Sequence, residues 1–187
     1  MNRIPCPPLV RLPVLALVTC LALAVMVADA GNAFAQNQAV GGATGGAAPK
    51  LPLPRFVSLR SGEANLRTGP GVQYPVDWVY RKKGLPLQVI AEYQSWRKVR
   101  DWEGADGWIH QSMLAGARAL IVFGETRALR AKAADDAAVT ARAEAGVVGR
   151  LLECPDGMMW CRVEMGGFEG WMTRKAFWGV LTGETIK

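Results

Sequence analysis

The sequence predicts an all-β protein with two small domains in tandem, and two observations lead to that prediction. Short stretches rich in β-branched and aromatic residues alternate with turn residues, as in small β-barrels and sandwiches. The same arrangement then occurs a second time, since Gly107-Trp108-Ile109 and Gly170-Trp171-Met172 stand 63 residues apart. Trp96 and Trp160 stand 64 apart, and a spacing this constant indicates an internal duplication.

Residues 1–35 have the pattern of a secretory signal peptide. Arg3 and Arg11 make the start positive, residues 12–27 are apolar and uncharged, and a small-x-small pattern ends at Ala35. This predicts cleavage after Ala35. We therefore expect a periplasmic or secreted protein with no stable membrane anchor after cleavage.

Two other readings of the N-terminus stay open. An uncleaved membrane anchor would need a longer apolar run, and Pro13 interrupts this one. A lipoprotein would use Cys20, but Thr19 is a poor residue before a lipidated cysteine, and the apolar run continues beyond it.

Residues 36–54 are predicted to be a disordered linker. Residues 36–48 are rich in Gly, Ala, Gln and Asn and show no apolar periodicity, so they cannot bury enough surface to offset ordering. Three prolines follow within residues 49–54 and favour an extended lead-in to the first strand.

Residues 55–117 are predicted to form the first domain, because apolar residues recur there in short alternating runs. A glycine-proline loop after residue 68 and a short helical turn at residues 111–114 interrupt the strands. The predicted strands are Arg55–Arg60, Ala64–Arg67, Val76–Tyr80, Leu85–Tyr93, Trp96–Arg100 and Gly107–Ile109.

Residues 118–187 are predicted to form the second domain, a degenerate copy of the first. A bridging strand at residues 120–123 begins it and ends at Gly124. The glycine-rich opening loop of the first copy is replaced by Lys132-Ala133-Ala134. Residues 135–144 are rich in alanine, so a helical turn is an alternative to a loop there.

The paired motifs resemble those of the bacterial SH3-like domain. The stretch Asn65-Leu66-Arg67-Thr68-Gly69-Pro70-Gly71 is similar to that family's opening loop, and Gly107-Trp108-Ile109 is similar to its closing strand. The resemblance implies two small SH3-like β-barrels in tandem. It also implies a non-catalytic extracytoplasmic binding module that contacts peptidoglycan peptides or an envelope protein.

In that family, aromatic residues near the opening loop line a shallow peptide-binding groove. The resemblance therefore makes Tyr74 and Trp78 ligand-binding candidates, and Trp102 and Arg67 complete the predicted set. Arg67 is matched by Arg130 in the second copy, so it serves equally well as a structural donor to turn carbonyls. The four tryptophans that occupy equivalent positions in the two copies are predicted to pack in the cores and at their rims: Trp96, Trp108, Trp160 and Trp171.

Two cysteines, Cys154 and Cys161, remain once the signal peptide is removed, and Pro155-Asp156-Gly157 forms a turn between them. In an exported protein, two cysteines on one hairpin are expected to form a disulfide. A redox dithiol or a metal pair is the alternative. The C-x-x-C spacing and a second ligand pair are absent, so we predict no metal site.

The formal net charge is +6, and the charges are scattered along the chain. Arg81-Lys82-Lys83 is the only basic run, which argues against a nucleic-acid partner. The sequence contains one histidine, His110, and no recognisable catalytic motif. We predict no cofactor and no catalytic residues. A small cell-wall hydrolase using His110 and a structural partner subunit of an envelope complex are the alternatives, and the oligomeric state stays open.

Overall fold

The computed structural model describes residues 51–187, which consist of strands, turns and two short 3₁₀ segments. The predicted signal peptide and residues 36–50 of the predicted linker lie outside these residues. Within residues 51–187, no helix is long and apolar enough to cross a membrane.

The first sheet contains seven antiparallel strands in the order β3-β2-β6-β5-β4-β1-β7. A 3₁₀ segment at Gln111–Met113 precedes the last of them. The strands are β1 (Arg55–Leu59), β2 (Ala64–Arg67), β3 (Val76–Tyr80), β4 (Pro86–Tyr93), β5 (Trp96–Arg100), β6 (Asp106–His110) and β7 (Leu114–Ala115).

The second sheet repeats this topology with the order β10-β9-β13-β12-β11-β8-β14. Each position holds the strand that the 63-residue spacing predicts, and a second 3₁₀ segment lies at Arg174–Ala176. The internal duplication is therefore confirmed. The strands are β8 (Ala119–Val122), β9 (Arg127–Arg130), β10 (Val139–Ala143), β11 (Val148–Glu153), β12 (Trp160–Met165), β13 (Phe168–Thr173) and β14 (Phe177–Trp178).

The all-β prediction is confirmed, with two corrections. The sheets do not close into barrels by hydrogen bonding. Within the described residues, the two terminal strands of the first sheet, β3 and β7, do not pair with each other, and neither do β10 and β14 in the second sheet. The helical alternative for residues 135–144 is wrong, since Val139–Ala143 pairs with β9 as a strand. Pairing across the sheet outweighs the helix propensity of alanine there.

Strict alternation builds the first core. Leu66, Val99 and Ile109 are fully buried, and their neighbours along the strands face the other side of the sheet. Trp96 and Trp108 occupy those outward positions and are half-buried outside the core. Trp160 and Trp171 do the same in the second sheet, so the core packing predicted for these four residues is wrong.

Strand β8 lies between the two domains and packs against both, since all four of its residues are buried. Leu120 and Val122 belong to the second core, whereas the alternate residue Ile121 belongs to the first. Trp178 extends this junction, and its ring meets the Phe56 ring edge-on at a centroid distance of 4.6 Å. The two sheets therefore share apolar contacts.

The predicted disulfide between Cys154 and Cys161 is confirmed. Their Cα atoms are 4.3 Å apart, and both side chains are fully buried in the second core. Because this core is separate from the one built around Leu66, the bridge constrains the second domain.

Reduction of the disulfide is expected to lower the free energy of unfolding of the second domain by about 2–3 kcal/mol, the chain-entropy value for so short a loop. The first sheet should keep its protection. Hydrogen exchange of oxidised and reduced protein, compared strand by strand, measures this. Equal loss of protection in β5 and β12 contradicts the assignment.

The C-terminal residues fold back on the second domain and are held by an arginine–glutamate pair. Both Arg118 terminal nitrogens donate to the Glu184 carboxylate, and the Nη2–Oε2 distance is 2.9 Å. Ile186 and Cys154 exchange backbone hydrogen bonds of 3.0 and 2.9 Å. Burial acts to raise the pKa of Glu184. The hydrogen bonds from Arg118 and the Leu181 amide, with the charges of Arg118 and Arg174, outweigh it and hold that pKa below its ordinary value.

Candidate functional site

The opening loop of the first domain, residues 68–75, is held by the arginine that precedes it. Arg67 Nη1 donates to the carbonyl oxygens of Val72 at 3.1 Å and Tyr74 at 2.7 Å. Arg130 Nη1 donates in the same way to the Ala137 carbonyl at 2.7 Å. The guanidinium is therefore a loop-fixing donor in both domains, as its matched position in the sequence allows. Ligand contact by Arg67 stays a prediction.

The Tyr74 side chain folds back over its own loop, and the residue is 40% exposed. The ring rests directly on Gly69, where an added Cβ would overlap ring atoms. The glycine is thus needed for the close approach of the ring. This packing fixes an aromatic face at the surface without burying it.

Trp102 lies in a second ordered loop, residues 101–105. Asp101 Oδ1 accepts from the amides of Glu103 at 3.0 Å and Ala105 at 2.9 Å, and Tyr80 Oη donates to its Oδ2 at 3.0 Å. Asp101 is 4% exposed, so these bonds satisfy a buried carboxylate. The loop holds Trp102 half-buried against the first core.

The two loops leave the same end of the first sheet. Strands β2 and β5 both run antiparallel to β6, so they run parallel to each other and end on the same side. The loop after β2 carries Tyr74, and the loop after β5 carries Trp102. Trp78 lies on the terminal strand β3 opposite Leu66, half-buried against the core.

The second domain does not repeat this arrangement. Ala137 and Ala141 stand 63 residues after Tyr74 and Trp78. The connection between β12 and β13 is only Gly166-Gly167, so no loop corresponds to the one that carries Trp102. The candidate aromatic surface is therefore confined to the first domain.

A family model described as the bacterial SH3 domain matches residues 60–116 and, a second time, residues 124–179. The chain belongs to the bacterial SH3 domain family. No curated protein matches it.

Two solved structures are similar at low identity. They are NlpC2 from Trichomonas vaginalis (11% identity, 69% of this chain and 49% of that chain, TM-score 0.31) and NlpC1 from Trichomonas vaginalis (10%, 68% and 46%, TM-score 0.31). The chain thus spans about half the length of these relatives.

One feature of the first bacterial SH3 domain was not predicted from the sequence. Tyr93, Trp96 and His110 line up across β4, β5 and β6 on the outward face of the sheet. The Trp96 and His110 rings meet edge-on at 5.4 Å, and Tyr93 is 52% exposed. The signal was present in the alternation, because Trp96 and the buried Val99 lie on opposite faces of β5.

His110 has a local structural partner in this domain. Its Nδ1 lies 2.7 Å from Ser112 Oγ and accepts from the Ser112 amide at 3.3 Å, which caps the first 3₁₀ segment. Among residues 51–187, no group of three His, Cys, Asp or Glu side chains is placed to hold a metal ion.

Proposed function

We propose that this protein is a non-catalytic, extracytoplasmic binding module that contacts peptidoglycan peptides or an envelope protein through its first SH3 domain. Bacterial SH3 domains are commonly cell-wall binding modules. The observation that carries the proposal is the placing of Tyr74 and Trp102 on two ordered loops at one end of the first sheet. The second domain has neither residue.

The chemistry of this surface supports a peptide-like ligand. Aromatic side chains bury a large area at a low cost in conformational entropy, which is why they dominate binding hot spots. Arg67 and Gly69 fix the loop that carries Tyr74, so little ordering is needed on binding. The full chain carries a net charge of +6, and removal of Arg3, Arg11 and Asp29 with residues 1–35 leaves +5 (20 basic minus 15 acidic residues). This charge adds a favourable term for anionic cell-wall polymers.

Export is part of the proposal. The mature chain begins at Gln36, residues 36–54 tether the domains, and the domains comprise residues 55–117 and 118–187. The pattern ending at Ala35 supports this start. N-terminal mass analysis of the protein from the envelope fraction measures it.

Tyr74→Ala and Trp102→Ala are each expected to weaken retention on purified peptidoglycan by about 1–3 kcal/mol, or about 5- to 150-fold. Co-sedimentation at several protein concentrations gives the affinity. Trp78 is changed to Phe, and Trp102→Phe is made beside Trp102→Ala, because alanine at either position would also remove packing against the first core. Val139→Ala, an exposed position of the second domain, is the matched control. Unchanged retention of the Tyr74 and Trp102 variants would exclude this surface.

A structural subunit of an envelope complex is the second candidate, and the outward stripe of Tyr93, Trp96 and His110 favours it. Tyr93→Ser changes only this stripe. The structural function replaces the first proposal on two results together: the parent protein is not retained on peptidoglycan, and Tyr93→Ser abolishes its co-purification with an envelope protein.

A further inference from the structure

A cleft of about 440 Å³ lies between the two SH3 domains. Its first wall comes from β1, β7 and the turn before β4, and its second wall comes from β8, β11 and the end of β12. Contacts between the domains hold these two walls together, among them the packing of Ile121 and Trp178 on the first domain and the 3.0 Å hydrogen bond from Lys82 Nζ to the Gly146 carbonyl. The cleft is separate from the loops that carry Tyr74 and Trp102.

The charged side chains around the cleft are mainly cationic. Arg60 and Lys83 line it from the first domain, and neither has an ion-pair partner among residues 51–187. Arg150 lines it from the second domain, 3.4 Å from Glu164, the one acidic residue of the lining. The charge of Arg118 is matched by Glu184. An excess of positive charge therefore remains at the rim on the side of the first domain, from Arg60 and Lys83.

The rest of the lining is apolar or has no side chain. Val148, Ala115 and Ala117 contribute the accessible apolar surface, Leu59 and Met165 lie buried behind it, and Gly84 and Gly166 add no side chain. Ser58, which is 4% exposed, adds a hydroxyl to the first wall. A bare inorganic anion would leave the apolar part of this cleft unused.

We infer that the cleft between the domains binds the carboxylate end of an extended peptide. The apolar lining takes small side chains, and Arg60 and Lys83 receive the carboxylate through charge-assisted hydrogen bonds. This inference does not depend on the ligand of the opening-loop surface. It assigns a function to the second domain, which supplies half of the cleft.

The probe is an alanine tripeptide with a free C-terminal carboxylate, and its matched control is the same tripeptide with a C-terminal amide. Titration of the ¹⁵N-labelled protein is followed through the backbone amide signals of Gly84, Gly149 and Gly166. The free acid should shift these signals and bind at least about tenfold more tightly than the amide, because a hydrogen bond to a charged group is the stronger kind. Equal binding of the two peptides overturns the inference.

Gly166 allows a test that changes charge alone. Gly166 and Gly167 have φ of +59° and +85°, the two-residue turn that favours Asn-Gly and Asp-Gly, and nothing lies within 4 Å of a Cβ at Gly166. Both Gly166→Asn and Gly166→Asp should therefore fold. The Asp variant should bind the free acid about 3- to 10-fold more weakly than the Asn variant. Equal affinities contradict the site.

Lys83→Ala should weaken binding of the free acid by a similar factor. Lys132→Ala, which removes the same charge from an exposed turn of the second domain, should not. Inorganic phosphate is the competing anion. If phosphate displaces the tripeptide at lower concentration than acetate and produces the same glycine shifts, the cleft is a phosphate site and the peptide assignment is wrong.

Discussion

Ile121→Ala is expected to lower the free energy of unfolding by about 2–5 kcal/mol and to separate the unfolding of the two domains. The side chain is fully buried and belongs to the first core, although its strand belongs to the second sheet. Truncation leaves a cavity in the first core and weakens the junction. Urea unfolding followed by tryptophan fluorescence, together with hydrogen exchange, measures both effects.

Two controls separate this effect from a general loss of stability. Ile121→Val keeps most of the packing and should cost only about 0.5–1.5 kcal/mol. Val139→Ala, at a position that is 43% exposed, should stay within about 0.5 kcal/mol of the parent protein. If Ile121→Ala costs no more than Val139→Ala, strand β8 does not couple the domains.

Much of the fold could be predicted because alternation and duplication are local signals. Leu66, Val99 and Ile109 follow period two, and each occupies a fully buried position. The 63-residue spacing predicts the matching strand order of the second sheet. The apolar run of β8 predicts a bridging strand, as burial on both faces requires.

The four tryptophans at matched positions of the two copies are less predictable than the aliphatic core. Their equivalent positions in the two copies predicted packing in the cores and at the rims, but Trp96 lies on the face of β5 opposite the buried Val99, outside the core. The candidate site was predicted in part. Sequence reasoning selected Tyr74 and Trp102, but only the direction of β2 and β5 shows that their loops share one end of the sheet.

Other features depend on contacts between distant residues. Arg118 and Glu184 are 66 residues apart, and a charged residue in a Gly-Glu-Thr tail carries no periodic signal. The cleft between the domains likewise depends on how the second domain packs against the first, including the packing of Ile121 in the first core. No sequence motif marks the Arg118–Glu184 pair or the cleft, so only the folded chain shows them.

Arg118→Ala is expected to lower the free energy of unfolding by about 3 kcal/mol at neutral pH, because it leaves the Glu184 carboxylate in a partly buried place without its partner. The Arg118 side chain is 21% exposed and that of Glu184 22%. The change also removes a donor to the Gly179 carbonyl and the guanidinium 5.9 Å from the centre of the Phe56 ring. Thermal and urea unfolding of parent and variant measure the loss.

The pH dependence of that loss distinguishes an ion pair from simple packing. The pKa of Glu184 is lowered in the folded protein, so its contribution is present above its unfolded pKa of about 4.3 and is lost as the pH falls through the folded value. The difference between parent and Arg118→Ala should therefore shrink below about pH 4. Arg162→Ala breaks a pair whose side chains are 48% and 50% exposed and should cost less than about 1 kcal/mol. An Arg118→Ala penalty that equals the Arg162→Ala penalty, or that does not change with pH, would show that the C-terminal residues are held by packing and backbone hydrogen bonds instead.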